Sequence, residues 1–271
     1  MAQTGTPSSG SQTVDRALQL MDVLAERGVP LRLSELAKAV GLNISTTSRL
    51  LGSLEHHGYV QRDAPAGRYL LGYRLLHLAQ VAQEESGLAE LAAPILATLV
   101  EATNETATIT VLQGNRAMVI ARVVCSNQLR ITAPVGTLGP LYCTAAGKAL
   151  LAYRREEEVD HFLTRGMPRL TDATITDIPT MRGELQRVRA QGYAVDRGER
   201  EEGLIGLATP VHDGSGAVIA SCGISGAGQR MTEDRMPTLA RHVVEAGNDL
   251  SARLGFRPVT LTGVATVRSR H

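Results

Sequence analysis

Within its first sixty residues this chain has three helical stripes, each cut off by its own stop signal, and a tight ribbon follows them. From Thr13 to Arg27 apolar residues fall at Val14, Ala17, Leu18, Met21 and Leu24, the spacing of one helix face, and Gly28 and Pro30 end the run. Leu33 to Val40 (LSELAKAV) is short and amphipathic, with Leu36, Ala37 and Val40 inward and Gly41 as its stop. Asn43 stands where a third helix, Ile44 to His57, needs a cap. Thr47, Leu50, Leu51 and Leu54 share one face of that helix, and Ser45, Ser48, Arg49, Gly52 and His56 share the other. Gly58 closes it. Two extended runs, 59–62 and 68–71, then flank a hairpin tip, Asp63-Ala64-Pro65-Ala66-Gly67. Three short helices ending in a β-ribbon predict a winged helix-turn-helix over residues 13–72, behind a Gly/Ser/Thr-rich tail at 1–12.

That arrangement implies a nucleic-acid partner. Small hydroxyls and one arginine on an outer helix face suit a major groove: Ser45, Thr46 and Ser48 for base edges or phosphates, Arg49 forked onto guanine. Taken alone, the same residues would also make an ordinary solvated face. The helix before them and the ribbon behind them favour DNA. Residues 1–75 hold eight Lys/Arg against six Asp/Glu, and the whole chain carries +1, so bulk charge selects no polyanion. Grip must come from placed cations, Arg62 and Arg68 on the wing and Arg16 near the first helix. One such head binds weakly, so a homodimer on double-stranded DNA with a pseudo-palindromic operator is expected.

The remaining residues predict a second domain, since 271 are too many for one typical core. Apolar residues make up 43% while aromatics are 3% with no Trp, so the cores must be Leu, Val, Ile and Ala. Tyr73 to Thr103 reads as a helix, or a pair broken at Gly87 and Pro94, with more apolar surface than a monomer's linker needs. It is expected to be a dimerisation element and connector. Over 104–256, extended runs at 106–112 and 118–124 surround a Gly114-Asn115 turn, and 129–133 adds a third. Helices follow at 144–154, 156–163 and 180–191, strands at 206–212 and 217–224 about the Asp213–Gly216 turn, and a last helix at 232–254. Interleaving of this kind predicts an α+β sheet with helices on its faces, then a tail at 257–271. Three scattered cysteines without CxxC or Cys/His spacing predict neither a disulfide framework nor a metal site, and no cofactor is expected. No leader pattern and no apolar stretch of membrane length occur, so the expected location is cytoplasmic, with no membrane partner.

Several stretches resemble one family. SELAKAVGLNISTTSRLLGSLEHHGYV followed by GRYLLGYRLLHLA is similar to the DNA-binding head and linker of the IclR family of transcriptional regulators. VGTLGPLYCTAAGKALLA (135–152) resembles that family's loop-to-helix effector motif, and GYAVDRGEREEGLIGLATPVHD (192–213) its signature, with GISG (223–226) closing the pocket. The likeness runs from Thr13 to Phe256. It implies a GAF/PAS-like effector domain, a dimer or dimer of dimers, and a small metabolite ligand, often a carboxylate or aromatic acid, in a repressor or an activator. Residue by residue, it implies a pocket lined by Cys143, Thr144, Ala145 and Ala146, with Asp196, Gly206, Gly223 and Ser225 opposite. A helix N-terminus with small residues suits a carboxylate. Plain packing of small residues between helix and sheet is the alternative.

Five positions depart from the family pattern. Gly206 stands where Cys, Ser or Ala is expected, Gly223 where a hydroxyl is frequent, and Gly139 where a larger side chain is common. Together they predict a roomier pocket, less polar on one wall, for a ligand bulkier than a two- or three-carbon acid. Ile44 replaces a basic residue and Thr47 a valine, which alters the first base contact but not the fold. Of the acids in 196–202, Asp196 is expected to reach the ligand and the others to be solvated. Lys148 could meet a ligand carboxylate or pair with an Asp or Glu. Three rivals remain: a Cys143 enzyme with His161 or His212 as base, a redox sensor through Cys143 or Cys222, and a constitutive DNA binder whose second domain only dimerises.

Overall fold

The apolar stripes of the first sixty residues converge on one small core. In the computed structural model of the chain, residues 12–63, 65–78, 81, 87–128, 130–131 and 133–257 are described. The expected tails therefore lie outside the described residues, apart from Gln12 and Arg257. The polypeptide divides into two units, Met1–Ser86 and Gly87–His271. In the first, α1 (Gln12–Arg27), α2 (Leu33–Ala39) and α3 (Ile44–His56) bury Leu20, Leu24, Leu36, Leu50 and Leu51 together with Val60 and Tyr69. The ribbon strands β2 (Val60–Asp63) and β3 (Arg68–Leu71) gain a partner that the sequence did not reveal, the two-residue β1 (Leu31–Arg32), giving the order β1-β3-β2. Gly72 lets the chain leave the ribbon. A Cβ there would run into the Gly58 carbonyl oxygen, so only glycine allows the two backbones to pass so closely.

The second unit is one antiparallel sheet with helices on both faces, the α+β architecture expected. Its strands are β4 (Thr106–Gln113), β5 (Arg116–Val123), β6 (Leu138–Pro140), β7 (Ala194–Arg197), β8 (Leu204–His212) and β9 (Val218–Ala227), in the order β6-β5-β4-β9-β8-β7. Both faces are covered, so β8 is buried along most of its length and reads as an apolar run rather than an alternation. Leu207 and Val211 join the core under α4 (Leu88–Thr103) and α8 (Met236–Arg253). Ala208 joins the opposite core, under α5 (Ala145–Leu151), α6 (Glu156–Leu163) and α7 (Ile178–Gln191).

Two expectations are corrected. No strand forms at 129–133 as far as the described residues 130, 131 and 133 go; the third strand is β6, paired to β5 through Arg116 and Pro140. Within the Tyr73–Thr103 stretch, expected as a dimerisation element and connector, α4 buries Leu88, Ala92, Ile95, Leu96, Leu99 and Thr103 in its own unit's interior. Gly87, at φ 57°, caps the start of this helix, and Pro94, expected as an interruption, lies inside it without ending it. Tyr73, Leu76, Leu78, Val81 and Leu91 keep exposed apolar surface.

Candidate ligand cavity and nucleic-acid interface

The outward side of α3 is set by its cap. Asn43 accepts the Thr46 backbone N–H at 2.7 Å, and the Thr47 hydroxyl donates to the Asn43 carbonyl at 2.9 Å. This fixes the first turn so that Thr47, Leu50 and Leu51 point into the core. Ser45, Ser48 and Arg49 are then exposed side by side, and Thr46 is half-buried. On the wing, Arg62 lies over the Tyr69 ring at 5.5 Å and Arg68 is exposed opposite Arg32 and Asp63. Arg16, half-buried on α1, belongs to a different helix from that face. Among the described residues none of Arg16, Arg49, Arg62 and Arg68 takes part in an ion pair, which leaves their charges for phosphates or bases.

In the second unit a cavity of about 210 Å³ opens between the sheet and α5. Thr144, Ala145, Ala146, Asp196, Gly206, Gly223 and Ser225 all line it. Strand register explains the gathering: Gly206 is paired with Asp196 on one side and with Ser225 on the other, so a row from three strands faces α5. Thr144 caps α5, its hydroxyl accepting the Gly147 N–H at 3.0 Å and donating to the Pro140 carbonyl at 2.8 Å. The lining also includes Thr108, Thr110, Thr137, Arg200 and Glu201, none of which the sequence singled out as ligand contacts.

Cys143 is the exception. It is fully buried and does not line the cavity, and burial together with the nearby Asp196 charge pushes its thiol up to about 11. Cys222 is pushed to about 12 by burial alone. Both sulfurs are therefore protonated and shielded at neutral pH, the condition of inert structural cysteines. His212 stacks on Phe256 at 4.6 Å and lies edge-on to Tyr153, and His161 lines a separate hollow with Phe162.

Beneath the cavity sits a buried ionic knot. Lys148 Nζ donates to Glu199 Oε1 at 2.5 Å, to the Val195 carbonyl at 2.5 Å and to Glu184 Oε1 at 3.0 Å. Of the two roles open to Lys148, the structure shows the internal pair. Glu199, expected to be solvated, is buried, and the Thr174 hydroxyl donates to its backbone carbonyl at 2.6 Å. Asp196 Oδ1 accepts the Glu199 N–H at 2.8 Å, so the knot and the cavity wall share one loop.

A family model described as the IclR helix-turn-helix domain matches residues 13–64, and one described as the bacterial transcriptional regulator IclR C-terminal matches residues 80–252. The chain belongs to the IclR family. It is 32% identical over 254 residues to the HTH-type transcriptional repressor AllR of Salmonella typhi, covering 93% of each chain. An IclR transcriptional regulator from Alicyclobacillus acidocaldarius has a similar structure, with a TM-score of 0.80, 27% identity and coverage of 90% of this chain and 98% of that one. An IclR homolog from Microbacterium hydrocarbonoxydans, complexed with 4-hydroxybenzoate, shares the fold with a TM-score of 0.80 at 23% identity, covering 90% of this chain and 99% of that one. This IclR-family protein is a DNA-binding transcriptional regulator with an effector-binding domain, and its relatives are regulators rather than enzymes. Among the described residues no helix is long and apolar enough to cross a membrane.

The family departures acquire physical reasons. A Cβ at position 223 would strike the Leu207 carbonyl oxygen, so Gly223 serves the close approach of β8 to β9 rather than the size of the cavity. A Cβ at Gly139 would come within 3.2 Å of Arg200 Nη1, so the volume saved there is occupied by the guanidinium. At Gly206 a Cβ would come within 3.3 Å of Ala145 Cβ and 3.5 Å of Asp196 Cβ, so the glycine lets α5 sit close against β8.

Burial pushes the Asp196 carboxyl of this regulator up from 3.8 to about 6, and the Glu199 charge adds to the effect. An acid whose folded pKa is raised holds its proton longer in the folded state. Its stabilisation is present below about pH 4 and is lost as the pH rises through about 6. Asp196→Asn keeps the oxygen that accepts the Glu199 N–H, so it should gain on the wild type across that interval and be the more stable at pH 7. Denaturant titrations from pH 4 to 7 measure the difference. His212, lowered by burial, titrates with the opposite sign in both proteins and cancels. A difference that does not change with pH would remove the argument.

Proposed function

We propose that the protein acts as a cytoplasmic homodimer whose two α3 helices enter successive major grooves of a pseudo-palindromic operator, and that an organic acid in the sheet cavity alters that grip. The observation that carries the reading is the cavity: residues of the family's effector motifs, distant in sequence, border one space together with five hydroxyl-bearing residues, Thr108, Thr110, Thr137, Thr144 and Ser225. Among the described lining residues Arg200 is the one cation, suited to a carboxylate. Asp196 then accepts a ligand hydroxyl or amide proton. A cavity of about 210 Å³ accommodates an acid of more than three carbons.

Ligand binding shifts the population between two arrangements of the effector domains, and the Tyr73–Thr103 segment passes the shift to the spacing of the two heads. A ligand at about a hundred times its Kd stabilises the folded state by roughly 2.7 kcal/mol. A thermal-shift screen spanning glyoxylate, pyruvate and 4-hydroxybenzoate, with hits retested for operator release by mobility shift, tests the proposal. A panel of acids that never moves the transition would leave a constitutive DNA binder instead. On the DNA side, Arg49→Ala should weaken specific binding by about 1–3 kcal/mol and relax sequence preference at one base pair. If only the general, salt-dependent affinity fell, Arg49 would be a phosphate contact.

A further inference from the structure

The side chain on α3 that the fold does not account for is Ile44. It is the first residue of the helix and is 49% exposed, while Thr47, Leu50 and Leu51 are buried. It takes no part in the core of its unit. Isoleucine is also a poorer helix former than alanine, so local structure does not call for it. Its place in the helix does have a direction: 44, 48 and 52 follow one line, 45 and 49 the next, so Ile44 stands on the same outer face as Ser48 and Arg49.

The first turn leaves few polar groups beside it. The Asn43 side-chain oxygen is engaged by the Thr46 N–H, and the Thr47 hydroxyl is turned inward onto the Asn43 carbonyl. What this end of the helix presents outward is the branched apolar surface of Ile44 beside the Ser45 side chain and the half-buried Thr46. N-terminal residues of a recognition helix are the ones that meet base edges. In the major groove the one apolar feature of the four bases is the C5-methyl of thymine.

We infer that Ile44 reads a thymine methyl in each half-site of the operator, making it a specificity-determining residue that selects T·A at that position. The inference rests on α3 lying in the major groove. Operators are first selected from a random duplex library with the full-length protein, and each thymine is then replaced by deoxyuridine, which removes the methyl and leaves every hydrogen-bonding group. At one thymine per half-site the wild type should lose about fourfold in affinity, which corresponds to roughly 0.8 kcal/mol for one methyl's worth of burial. Ile44→Ala should be insensitive to the same replacement. Ile44→Arg should move the preference at that pair towards guanine, the base a guanidinium reads.

Selected operators on which no deoxyuridine replacement weakens the wild type, or on which Ile44→Ala responds as the wild type does, would overturn the role of Ile44 and leave groove binding intact. Ile44→Ala altering the oligomeric state with no change in the deoxyuridine response would reassign the residue to a subunit contact. Failure to select any sequence would instead remove the groove placement of α3, and this inference with it.

Discussion

Replacing Lys148 with methionine is expected to cost the effector domain about 3–5 kcal/mol and to lower its melting temperature by roughly 6–20 °C. Methionine matches the length of the lysine stem, so the loss isolates the charge. Lys148 is among the largest fully buried side chains and neutralises two carboxylates in the same pocket. Glu184 would keep a second cation, Arg187 at 3.2 Å, but Glu199 would keep none among the described ion pairs, and its Oε2 already lacks a partner. Most of the penalty should therefore fall on Glu199. Two consequences identify the cause. Adding Glu199→Gln to the variant should recover much of the stability, because a neutral amide needs no counter-charge. The deficit should also shrink at acid pH, since Glu199, already raised by burial, then takes up a proton that the unfolded chain does not yet hold. Calorimetry on single and double variants measures both, and a shift of under about 2 °C for Lys148→Met would refute the account.

Gly206→Leu is expected to abolish the effector response while leaving operator binding in place. The Cβ of residue 206 points into the gap between β8 and α5, with Ala145 Cβ at 3.3 Å and Asp196 Cβ at 3.5 Å. A leucine there occupies the space proposed for the ligand. The acid that stabilises the wild type most should give no thermal shift, a loss of up to roughly 2.7 kcal/mol at saturation. Mobility shifts should show the operator held at every concentration of that acid. Overpacking itself costs about 1–3 kcal/mol, so Gly206→Ala serves as the graded control, with a smaller intrusion and an intermediate affinity. An undiminished response in the leucine variant would move the ligand elsewhere.

Local chemistry decided which elements the sequence revealed. α3 carries its own start and stop, Asn43 and Gly58, and was expected to within one residue; α6 was expected at its observed ends. β6 was missed because Leu138-Gly139-Pro140 contains the two residues that weaken a strand, tolerated here at a sheet edge. β7, only four residues long and ending in Asp196 and Arg197, has no periodicity to detect. The motif residues of the cavity were recognisable by resemblance. Thr108, Thr110 and Arg200 were not, because their place depends on β4 lying beside β9 and on the loop that follows β7. Long-range pairing of that kind leaves no trace in any short window. The same holds for Lys148, whose acidic partners come 36 and 51 residues later.

The position of α4 bears on how proteins of this build can be shuffled in evolution. Its inner side furnishes six positions of the sensor's interior, from Leu88 to Thr103. A gene fusion that traded one head for another would therefore preserve both interiors only with its junction ahead of Gly87. A crossover downstream of that helix would give an old sheet a foreign lid, and every inherited contact across it would have to be found again.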